Sequence, residues 1–182
     1  MRSRVVYAHG RIRLVEERWR LRDGVEVTFP LLRAPSFATV VGLTEDHEVP
    51  LVANRHPSPG LGLLEVPGGR IEAKEGPRAA ARRELEEETG WRAGRLTRLG
   101  RYYPSPHWGT TEGHIFFGER LTESRPHPDP GESLRPVLLP VGEVYRRLRR
   151  GRFLGGSTIG SLSLAEARFQ ALGLLPRASL GD

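Results

Sequence analysis

Four glutamates are crowded into the last turn and a half of one predicted helix. They are Glu84, Glu86, Glu87 and Glu88, and they follow directly after two arginines. Side chains three or four residues apart share a helix face, so Glu84, Glu87 and Glu88 converge while Glu86 points away. Like charges at this spacing oppose helix stability. A cation is therefore the expected partner of the converging carboxylates.

An all-oxygen cluster of this kind suits a hard divalent cation and favours Mg²⁺ or Mn²⁺ over Zn²⁺. Mg²⁺ held by few carboxylates keeps its other positions for water and substrate phosphates, which suits phosphate chemistry. Arg83, next to the cluster, can brace a glutamate through a charge-assisted fork. The backbone at Pro67-Gly68-Gly69 is bare enough for a glycine carbonyl to join the coordination shell. The alternative, from the glutamate run alone, is a solvent-facing helix of paired glutamates and arginines.

The helix that carries the glutamates is predicted over residues 77–89. Pro77 suits the first helical position, and the residues from Ala79 to Leu85 have high helix propensity. Gly90 suits the C-terminal cap. These signals agree on one marked helix with the glutamates in its second half.

Strands are predicted on both sides of this helix. Residues 4–33 contain three segments rich in β-branched and aromatic side chains, with a hairpin turn at Asp23-Gly24. Further strand-like segments flank the helix, and two more helices are predicted near residues 141–150 and 157–172. The pattern predicts a mixed α/β fold with long loops on either side of the acidic helix.

The bulk composition, 37% hydrophobic and 27% charged, predicts one soluble domain over residues 1–182. No apolar run approaches a membrane span, and the N-terminus has no signal-peptide apolar region. The absence of cysteine excludes disulfides, thiolate metal ligands and a cysteine nucleophile, and a cytoplasmic location is expected. The net charge of +6 fits phosphorylated substrates. Nucleic-acid binding is not expected, because the arginine-rich tract 146–150 lacks interleaved aromatics.

The glutamate-bearing segment matches a longer pattern, G-x5-E-x7-R-E-U-x-E-E-x-G-U, in which U is a bulky apolar residue. The specified positions are Gly69, Glu75, Arg83, Glu84, Leu85, Glu87, Glu88, Gly90 and Trp91. This is the Nudix box, and the chain resembles the Nudix hydrolases, most sharply over residues 69–91. The resemblance implies the Nudix fold, a mixed β-sheet sandwiched between helices, here with an N-terminal antiparallel strand extension over residues 1–33.

In the Nudix family the box glutamates bind Mg²⁺, and a metal-activated water attacks a phosphorus of a diphosphate linked to another moiety. Carried over by position, Glu84 and Glu88 are expected to be direct ligands, and Glu87 a ligand or base. The carbonyl of Gly68 is expected to coordinate the metal, for which Mn²⁺ is a possible substitute. The residues expected to support this site are Arg83 and Glu75.

Flanking residues resemble the ADP-ribose pyrophosphatase subfamily, which carries a proline about fifteen residues beyond the box. Pro106, preceded by Ser105, stands there. The subfamily expects a substrate-contacting glutamate in this loop, and Glu112 is the candidate, one position later than the pattern places it. His107 stands where glycine is usual. The resemblance implies ADP-ribose as the substrate, split into AMP and ribose 5-phosphate.

Other candidate substrate-binding residues lie outside this loop. Arg55 is the candidate diphosphate contact, although the family pattern Gln-x-Arg reads Asn54-Arg55-His56 here and shifts the arginine by one. Glu72, inside the box, is a further candidate. Residues 1–33 resemble the dimerisation portion of these enzymes, which reaches the partner's active site, so a homodimer is expected.

Two aromatic residues of this N-terminal portion, Trp19 and Phe29, are candidates for stacking on adenine, with ordinary sheet packing as the alternative. A late acidic residue on a loop often acts as the base in this group. Glu132 is the candidate, with Asp129 as its substitute, and a solvated loop carboxylate is the alternative.

Other interpretations change the substrate or remove the activity. The same chemistry on FAD, NADH, a dinucleoside polyphosphate or another nucleotide sugar is the alternative enzyme. NADH is disfavoured because the cysteine-ligated zinc element and the SQPWPFPxS motif of NADH pyrophosphatases are absent. A non-catalytic Nudix nucleotide sensor is disfavoured because the box glutamates are intact. The isomerase branch that requires a cysteine is excluded.

Overall fold

The structure, a computed structural model, describes residues 3–56, 60–127 and 134–176. Its ten strands are β1 (Ser3–His9), β2 (Ile12–Arg20), β3 (Glu26–Arg33), β4 (Phe37–Gly42), β5 (Glu48–Arg55), β6 (Gly62–Glu65), β7 (Gly68–Arg70), β8 (Trp91–Tyr102), β9 (Gly113–Glu123) and β10 (Leu134–Pro140). Its three helices are α1 (Pro77–Thr89), α2 (Val141–Arg149) and α3 (Gly156–Ala171). These counts refer to the described residues.

The central sheet has the strand order β7-β4-β9-β8 and is mixed. Strands β4 and β9 run parallel, whereas β4–β7 and β8–β9 are antiparallel pairs. A second, antiparallel sheet has the order β10-β5-β6. The N-terminal strands form a third sheet, β1-β2-β3, which is also antiparallel. The predicted N-terminal antiparallel extension is therefore confirmed.

Neighbouring residues of the central strands point to opposite layers of helices, because side chains alternate along a strand. Val40 and Phe116 are buried on the side of α1. Val41 and Phe117, one residue further along each strand, are buried on the side of α2 and α3. The sheet thus lies between helices, and the mixed sheet sandwiched by helices that was predicted from the sequence is confirmed.

The packing of α1 on the sheet brings its backbone close to the strands. Ala80 and Ala81 are fully buried against the sheet, and their small side chains permit this close approach. Leu85, also fully buried, anchors the middle of the helix, and such a burial contributes roughly 2 kcal/mol. The second half of α1 is thereby fixed beside β7, the strand that carries Gly68 and Gly69.

The predicted bounds of α1 agree with the structure at both ends. Pro77 occupies its first turn, and Gly90 caps the C-terminus with φ of 73°, in the left-handed region that glycine adopts without strain. The next strand, β8, starts directly after the cap, because Trp91 already pairs with Glu123 of β9.

The N-terminal sheet is only partly covered by the rest of the chain. Val15 and Glu17 are buried, but Val5, Tyr7 and Phe29 remain exposed. The sheet is joined to the remainder of the fold partly through backbone contacts of β3, such as the Leu32 N–H bond to the Trp108 carbonyl at 2.6 Å. Among the described residues, no helix is long and apolar enough to cross a membrane.

Candidate active site

The glutamate-bearing end of α1 lies directly against β7. The backbone N–H of Gly68 donates a hydrogen bond of 2.8 Å to Oε2 of Glu88, which is buried. A Cβ atom added to Gly69 would overlap the carboxylate of Glu84. Two of the predicted ligand carboxylates therefore approach the backbone of β7: Glu88 through the N–H of Gly68, and Glu84 through the space that the missing side chain of Gly69 leaves.

Arg83 ties the remaining box residues together, and all five of its guanidinium N–H donors are used. Nη1 donates to Glu84 and to Glu87, both at 2.8 Å. Nε and Nη2 form a fork on Glu75 at 3.0 and 3.1 Å. A fifth bond, of 3.0 Å, goes to the backbone carbonyl of Arg70. Arg83 is thus fixed as the hub of the box.

Electrostatics in this network favour the charged forms. Hydrogen bonding to Arg83 lowers the pKa of Glu75 below its ordinary value of 4.5. The same fork raises the pKa of Arg83, which is further raised by Glu87 and Glu84. Glu75 supports the site through Arg83, which is the arrangement that the resemblance implied. Its effect on catalysis remains a prediction.

The residues at this end of α1 fit a hard divalent cation by their chemistry. Glu84, Glu87 and Glu88 supply only oxygen donors, which suit Mg²⁺ or Mn²⁺. The N–H and C=O groups of one strand residue point to the same edge of the strand, so the carbonyl of Gly68 faces the side on which its N–H meets Glu88. Within the described ranges, however, no three acidic or histidine side chains form a ready cage, and Arg83 lies between two of the carboxylates.

Glu86 points away from this cluster, as the helical spacing predicted. It does not simply face solvent, because Arg92 forks its carboxylate at 2.6 and 3.1 Å and the Ser124 hydroxyl donates a bond of 2.9 Å. The Arg92 guanidinium, followed by Ser124, lowers the pKa of Glu86 to about 2. Glu86 therefore joins the end of α1 to β8 and to the segment after β9.

An open groove of about 660 Å³ runs along α1. It reaches Arg83 and Glu87 and ends near His127, whose N–H donates to the Glu87 carbonyl at 2.8 Å. Arg78 and Arg82 also line it, and they donate to backbone carbonyls of β8, the edge strand of the central sheet. These two arginines cover carbonyl groups of a sheet edge, which is a sufficient reason for their presence.

A second cavity, of about 300 Å³, brings together three of the predicted substrate-binding residues, Trp19, Phe29 and Pro106. It lies between the N-terminal sheet and the loop before β9. Its full lining is Trp19, Phe29, Leu31, Pro106, His107, Gly109 and Thr110. The sequence placed the aromatic residues at a partner's active site, whereas here they meet Pro106 of their own chain.

Glu17, which the sequence analysis did not single out, lies at this cavity's aromatic wall. Its buried carboxylate is paired with Arg33 and accepts the indole N–H of Trp19 at 3.3 Å. The residues Val15, Glu17 and Trp19 alternate along β2 and so share a face. A carboxylate between Val15 and Trp19 on one face of a strand was a signal that could have identified Glu17 from the sequence.

Glu112, predicted to contact substrate, lies just before β9. Its carboxylate accepts a bond of 2.7 Å from Arg101 and lies 3.5 Å from Nε2 of His114. Burial lowers the pKa of His114, and within the described part of the chain its Nδ1 atom is buried without a hydrogen-bond partner. The Phe37 N–H donates to the Glu112 carbonyl at 3.0 Å, which fixes the backbone here.

The other predicted substrate-binding residues occupy separate positions. Arg55 is exposed at the end of β5. Glu72 is paired with Arg11 at 2.8 Å. The Ser105 carbonyl accepts the N–H groups of Trp108 and Gly109, so Ser105 shapes the loop that bears Pro106. The candidate bases Glu132 and Asp129 lie outside the described residues, and their roles remain predictions.

Comparisons with known proteins show the family to which this chain belongs. The NUDIX domain profile matches residues 33–154, about two thirds of the chain. The ADP-ribose pyrophosphatase of Bacillus subtilis (strain 168) is 31% identical over 111 residues, which are 61% of this chain and 60% of that protein. The ADP-sugar pyrophosphatase of Mus musculus is 35% identical over 122 residues, 63% of this chain and 56% of that protein.

Two further comparisons cover more of the chain. The GDP-mannose pyrophosphatase of Yersinia pestis (strain Pestoides F) is 32% identical over 148 residues, 76% of this chain and 70% of that protein. The crystal structure of an ADP compounds hydrolase superposes with a TM-score of 0.84 over 96% of this chain and 95% of that one, at 20% identity. The latter likeness shows a shared fold. Together with the intact box, the domain match shows that this chain belongs to the Nudix hydrolase family.

Proposed function

We propose that this Nudix hydrolase splits the diphosphate linkage of a nucleoside-diphosphate derivative, with ADP-ribose as the leading substrate and AMP and ribose 5-phosphate as products. The observation that carries the proposal is the arrangement of Glu84 and Glu88 against Gly69 and Gly68. It brings two carboxylates of α1 close to the backbone of β7. Such a donor set suits a cation that accompanies phosphates.

The proposed cofactor is Mg²⁺, with Mn²⁺ as a substitute. When bound, it would neutralise the charge of the diphosphate and lower the pKa of bound water. Glu84, Glu87, Glu88 and the Gly68 carbonyl are the proposed ligands. The chain's own contribution is to hold them, because the Gly68 N–H orients Glu88 and Nη1 of Arg83 orients Glu84 and Glu87.

The substrate side of the proposal rests on the aromatic cavity and the loop that follows β8. Trp19 and Phe29 offer rings on which a base can stack, and Pro106 lines the same cavity. Arg55, with its always charged guanidinium, is the proposed diphosphate contact. Glu112 is the proposed sugar contact. The names of the Bacillus subtilis and Mus musculus relatives, both of which act on ADP-linked sugars, support this assignment.

A second candidate substrate is another nucleotide sugar. The GDP-mannose pyrophosphatase of Yersinia pestis (strain Pestoides F) covers a larger share of the chain than the ADP-ribose pyrophosphatase does. The aromatic cavity alone does not distinguish adenine from guanine, since every base offers a π-face. The choice between ADP-ribose and GDP-mannose as the preferred substrate therefore requires a measurement of activity on each.

The proposal extends to the whole chain, residues 1–182, as one domain that acts as a homodimer in the cytoplasm. The exposed apolar residues of the N-terminal sheet, among them Val5 and Tyr7, support association with a second copy. Sedimentation of the full-length protein tests the oligomeric state. A monomer at micromolar concentration would contradict this part of the proposal.

The function is tested by incubating purified protein with Mg²⁺ and a panel of substrates. The panel comprises ADP-ribose, GDP-mannose, FAD, NADH, diadenosine polyphosphates and nucleoside triphosphates, with the products identified. We expect ADP-ribose to give the highest kcat/KM, with AMP and ribose 5-phosphate as products, and EDTA to abolish turnover. Hydrolysis of none of these compounds with Mg²⁺ or Mn²⁺ would contradict the proposed function.

A further inference from the structure

Arg11, at the turn between β1 and β2, clamps the loop that precedes α1. Its Nη1 atom donates a bond of 2.8 Å to Oε2 of Glu72, and its Nη2 atom donates a bond of 2.9 Å to the carbonyl of Ile71. These contacts span 61 and 60 residues of sequence. One guanidinium therefore joins the N-terminal sheet to the loop of the Nudix box.

The clamped loop is hydrogen-bonded to the hub of the box. The Glu72 N–H donates to Oε2 of Glu75 at 3.0 Å, and the Glu75 N–H donates back to the Glu72 carbonyl at 3.1 Å. The carboxylate of Glu75 receives the fork of Arg83. Lys74 between them has a φ of 67°, a strained value for a residue other than glycine, so this turn depends on its contacts to keep its shape.

The path ends on two of the proposed ligands, Glu84 and Glu87, to which Arg83 donates. A continuous series of polar contacts thus runs from Arg11 through Glu72, Glu75 and Arg83 to the carboxylates of α1. We infer that Arg11 is a positioning residue, which sets the loop of residues 71–76 and, through Arg83, the carboxylates of the active site. The N-terminal sheet then contributes to the geometry of the site within its own chain.

The clamp acts on local order and not on global stability. The side chains of Arg11 and Glu72 are 47% and 59% exposed, and exposed ion pairs contribute little to folding. The ends of the loop have other anchors: the Ile71 N–H donates to the Ser36 carbonyl at 2.9 Å and its side chain packs on the core, while Glu75 receives the Arg83 fork. Among these contacts, the clamp is the one that ties the Glu72 side chain to a different sheet. Loss of the clamp should therefore loosen residues 71–76 while the melting temperature stays close to that of the parent protein.

Amide hydrogen exchange of the metal-free, full-length protein tests the inference directly. We expect Arg11→Ala to accelerate exchange severalfold in peptides covering residues 71–76, with no change in peptides of α3. Arg11→Lys should be intermediate, because one ammonium cannot reproduce the two-acceptor fork of a guanidinium. Arg4→Ala is the matched control, since Arg4 forms an exposed pair with Glu16 in the same sheet at 3.0 Å.

A second readout uses Mg²⁺ alone as the probe and rests on the proposed function. We expect Arg11→Ala to need about 10-fold more Mg²⁺ for half of the metal-induced rise in melting temperature, the scale of a lost supporting contact. kcat should fall while KM stays unchanged. If Mg²⁺ does not raise the melting temperature of the parent protein, the proposed function is wrong. The hydrogen-exchange result would still show whether Arg11 orders residues 71–76.

Three results would overturn the inference. The first is unchanged exchange at residues 71–76 in Arg11→Ala, and the second is equal acceleration in Arg4→Ala. The third concerns Glu72, which the sequence analysis assigned to substrate binding. If Glu72→Ala raises KM for ADP-ribose and leaves exchange of the loop unchanged, Glu72 is a direct substrate contact and the path does not act through it.

Discussion

The N–H of Gly68 donates a hydrogen bond of 2.8 Å to the carboxylate of Glu88, so a strand backbone orients a glutamate of the box helix. A bond from a backbone amide to a carboxylate is charge-assisted and stronger than a neutral one. Because the donor belongs to the backbone, the bond does not depend on a side chain at position 68. A substitution at position 88 that removes the negative charge but keeps an oxygen acceptor can therefore retain the hydrogen bond from Gly68.

We expect Glu84→Gln and Glu88→Gln each to lower kcat by about 100-fold or more, since removal of a ligand costs at least as much as removal of its supporting contacts. Glutamine keeps the size of the side chain and an oxygen acceptor, so the Gly68 bond and the apo fold should persist in Glu88→Gln. The rise in melting temperature caused by Mg²⁺ should shrink in both variants. Steady-state kinetics and thermal unfolding check these outcomes.

The matched control for these variants is Glu123→Gln, which neutralises an exposed glutamate at the end of β9. It should retain the parent's kcat and its response to Mg²⁺. Wild-type hydrolysis together with a full Mg²⁺ response in Glu84→Gln would show that the carboxylates of α1 are only a charged helix face.

The two glycines of β7 should respond differently to alanine. A Cβ at Gly68 would overlap the backbone of Ala38 and Thr39, which cannot move aside, so Gly68→Ala should destabilise the fold by about 1–3 kcal/mol. The three atoms nearest to a Cβ at Gly69 all belong to the carboxylate of Glu84, the flexible end of a side chain. Gly69→Ala should therefore fold with nearly normal stability but with Glu84 displaced.

The two glycine variants are distinguished by measuring both kcat and the free energy of unfolding of each. Gly69→Ala should lose at least about 10-fold in kcat while its unfolding free energy changes by less than about 1 kcal/mol. If Gly69→Ala keeps full activity, the close approach of Glu84 to β7 has no role in turnover.

Glu86→Gln should reduce stability in a pH-dependent way and leave activity intact. The pKa of Glu86 in the folded protein is about 2, below its ordinary value of 4.5, so its charged form stabilises the fold. This stabilisation is fully present above about pH 4.5 and is lost as the pH falls toward 2. At pH 7 we expect Glu86→Gln to be less stable by roughly 1 kcal/mol, the scale of a solvent-screened pair.

Urea unfolding of both proteins between pH 2.5 and pH 7 checks the sign of this effect. The difference in unfolding free energy between parent and Glu86→Gln should be largest at neutral pH and narrow as the solution is acidified. A difference that does not vary with pH would mean that the Arg92 contact does not depend on the charge of Glu86.

Local signals in the sequence were sufficient for the helix of the box and for the convergence of its glutamates. Pro77, Gly90 and the i, i+3, i+4 spacing each act within a few residues, so propensity and geometry determine them without tertiary context. The mixed α/β fold was predicted from strand-like segments on both sides of the box helix. Its sheet between helices was predicted from the family resemblance. In contrast, the contact of Arg11 with Glu72 spans 61 residues and leaves no mark in local spacing.

The environment of Glu86 shows a second limit of sequence reasoning. Its position on α1 was predicted correctly, but its partners Arg92 and Ser124 come from β8 and from the segment after β9. They are brought together by the pairing of β8 with β9, which fixes the register beyond the cap at Gly90. The residues of α1 alone do not specify how β8 and β9 pair, so the partners of Glu86 could not be read from the helix.

The last prediction concerns the aromatic cavity and its own-chain partners. Trp19→Ala should raise KM for ADP-ribose by about 5-fold to 150-fold, because stacking of a base on an aromatic ring is worth about 1–3 kcal/mol. kcat should change little, since the ring lies in a cavity whose lining includes none of the box carboxylates.

Glu17→Gln should raise KM less, because glutamine still accepts the indole N–H but loses the ion pair with Arg33. Trp108→Ala is the control, as Trp108 is 67% exposed in the same loop and does not line the cavity. Initial rates with ADP-ribose and with GDP-mannose measure these changes. An unchanged KM in Trp19→Ala, or an equal rise in Trp108→Ala, would exclude this cavity as the site of the base.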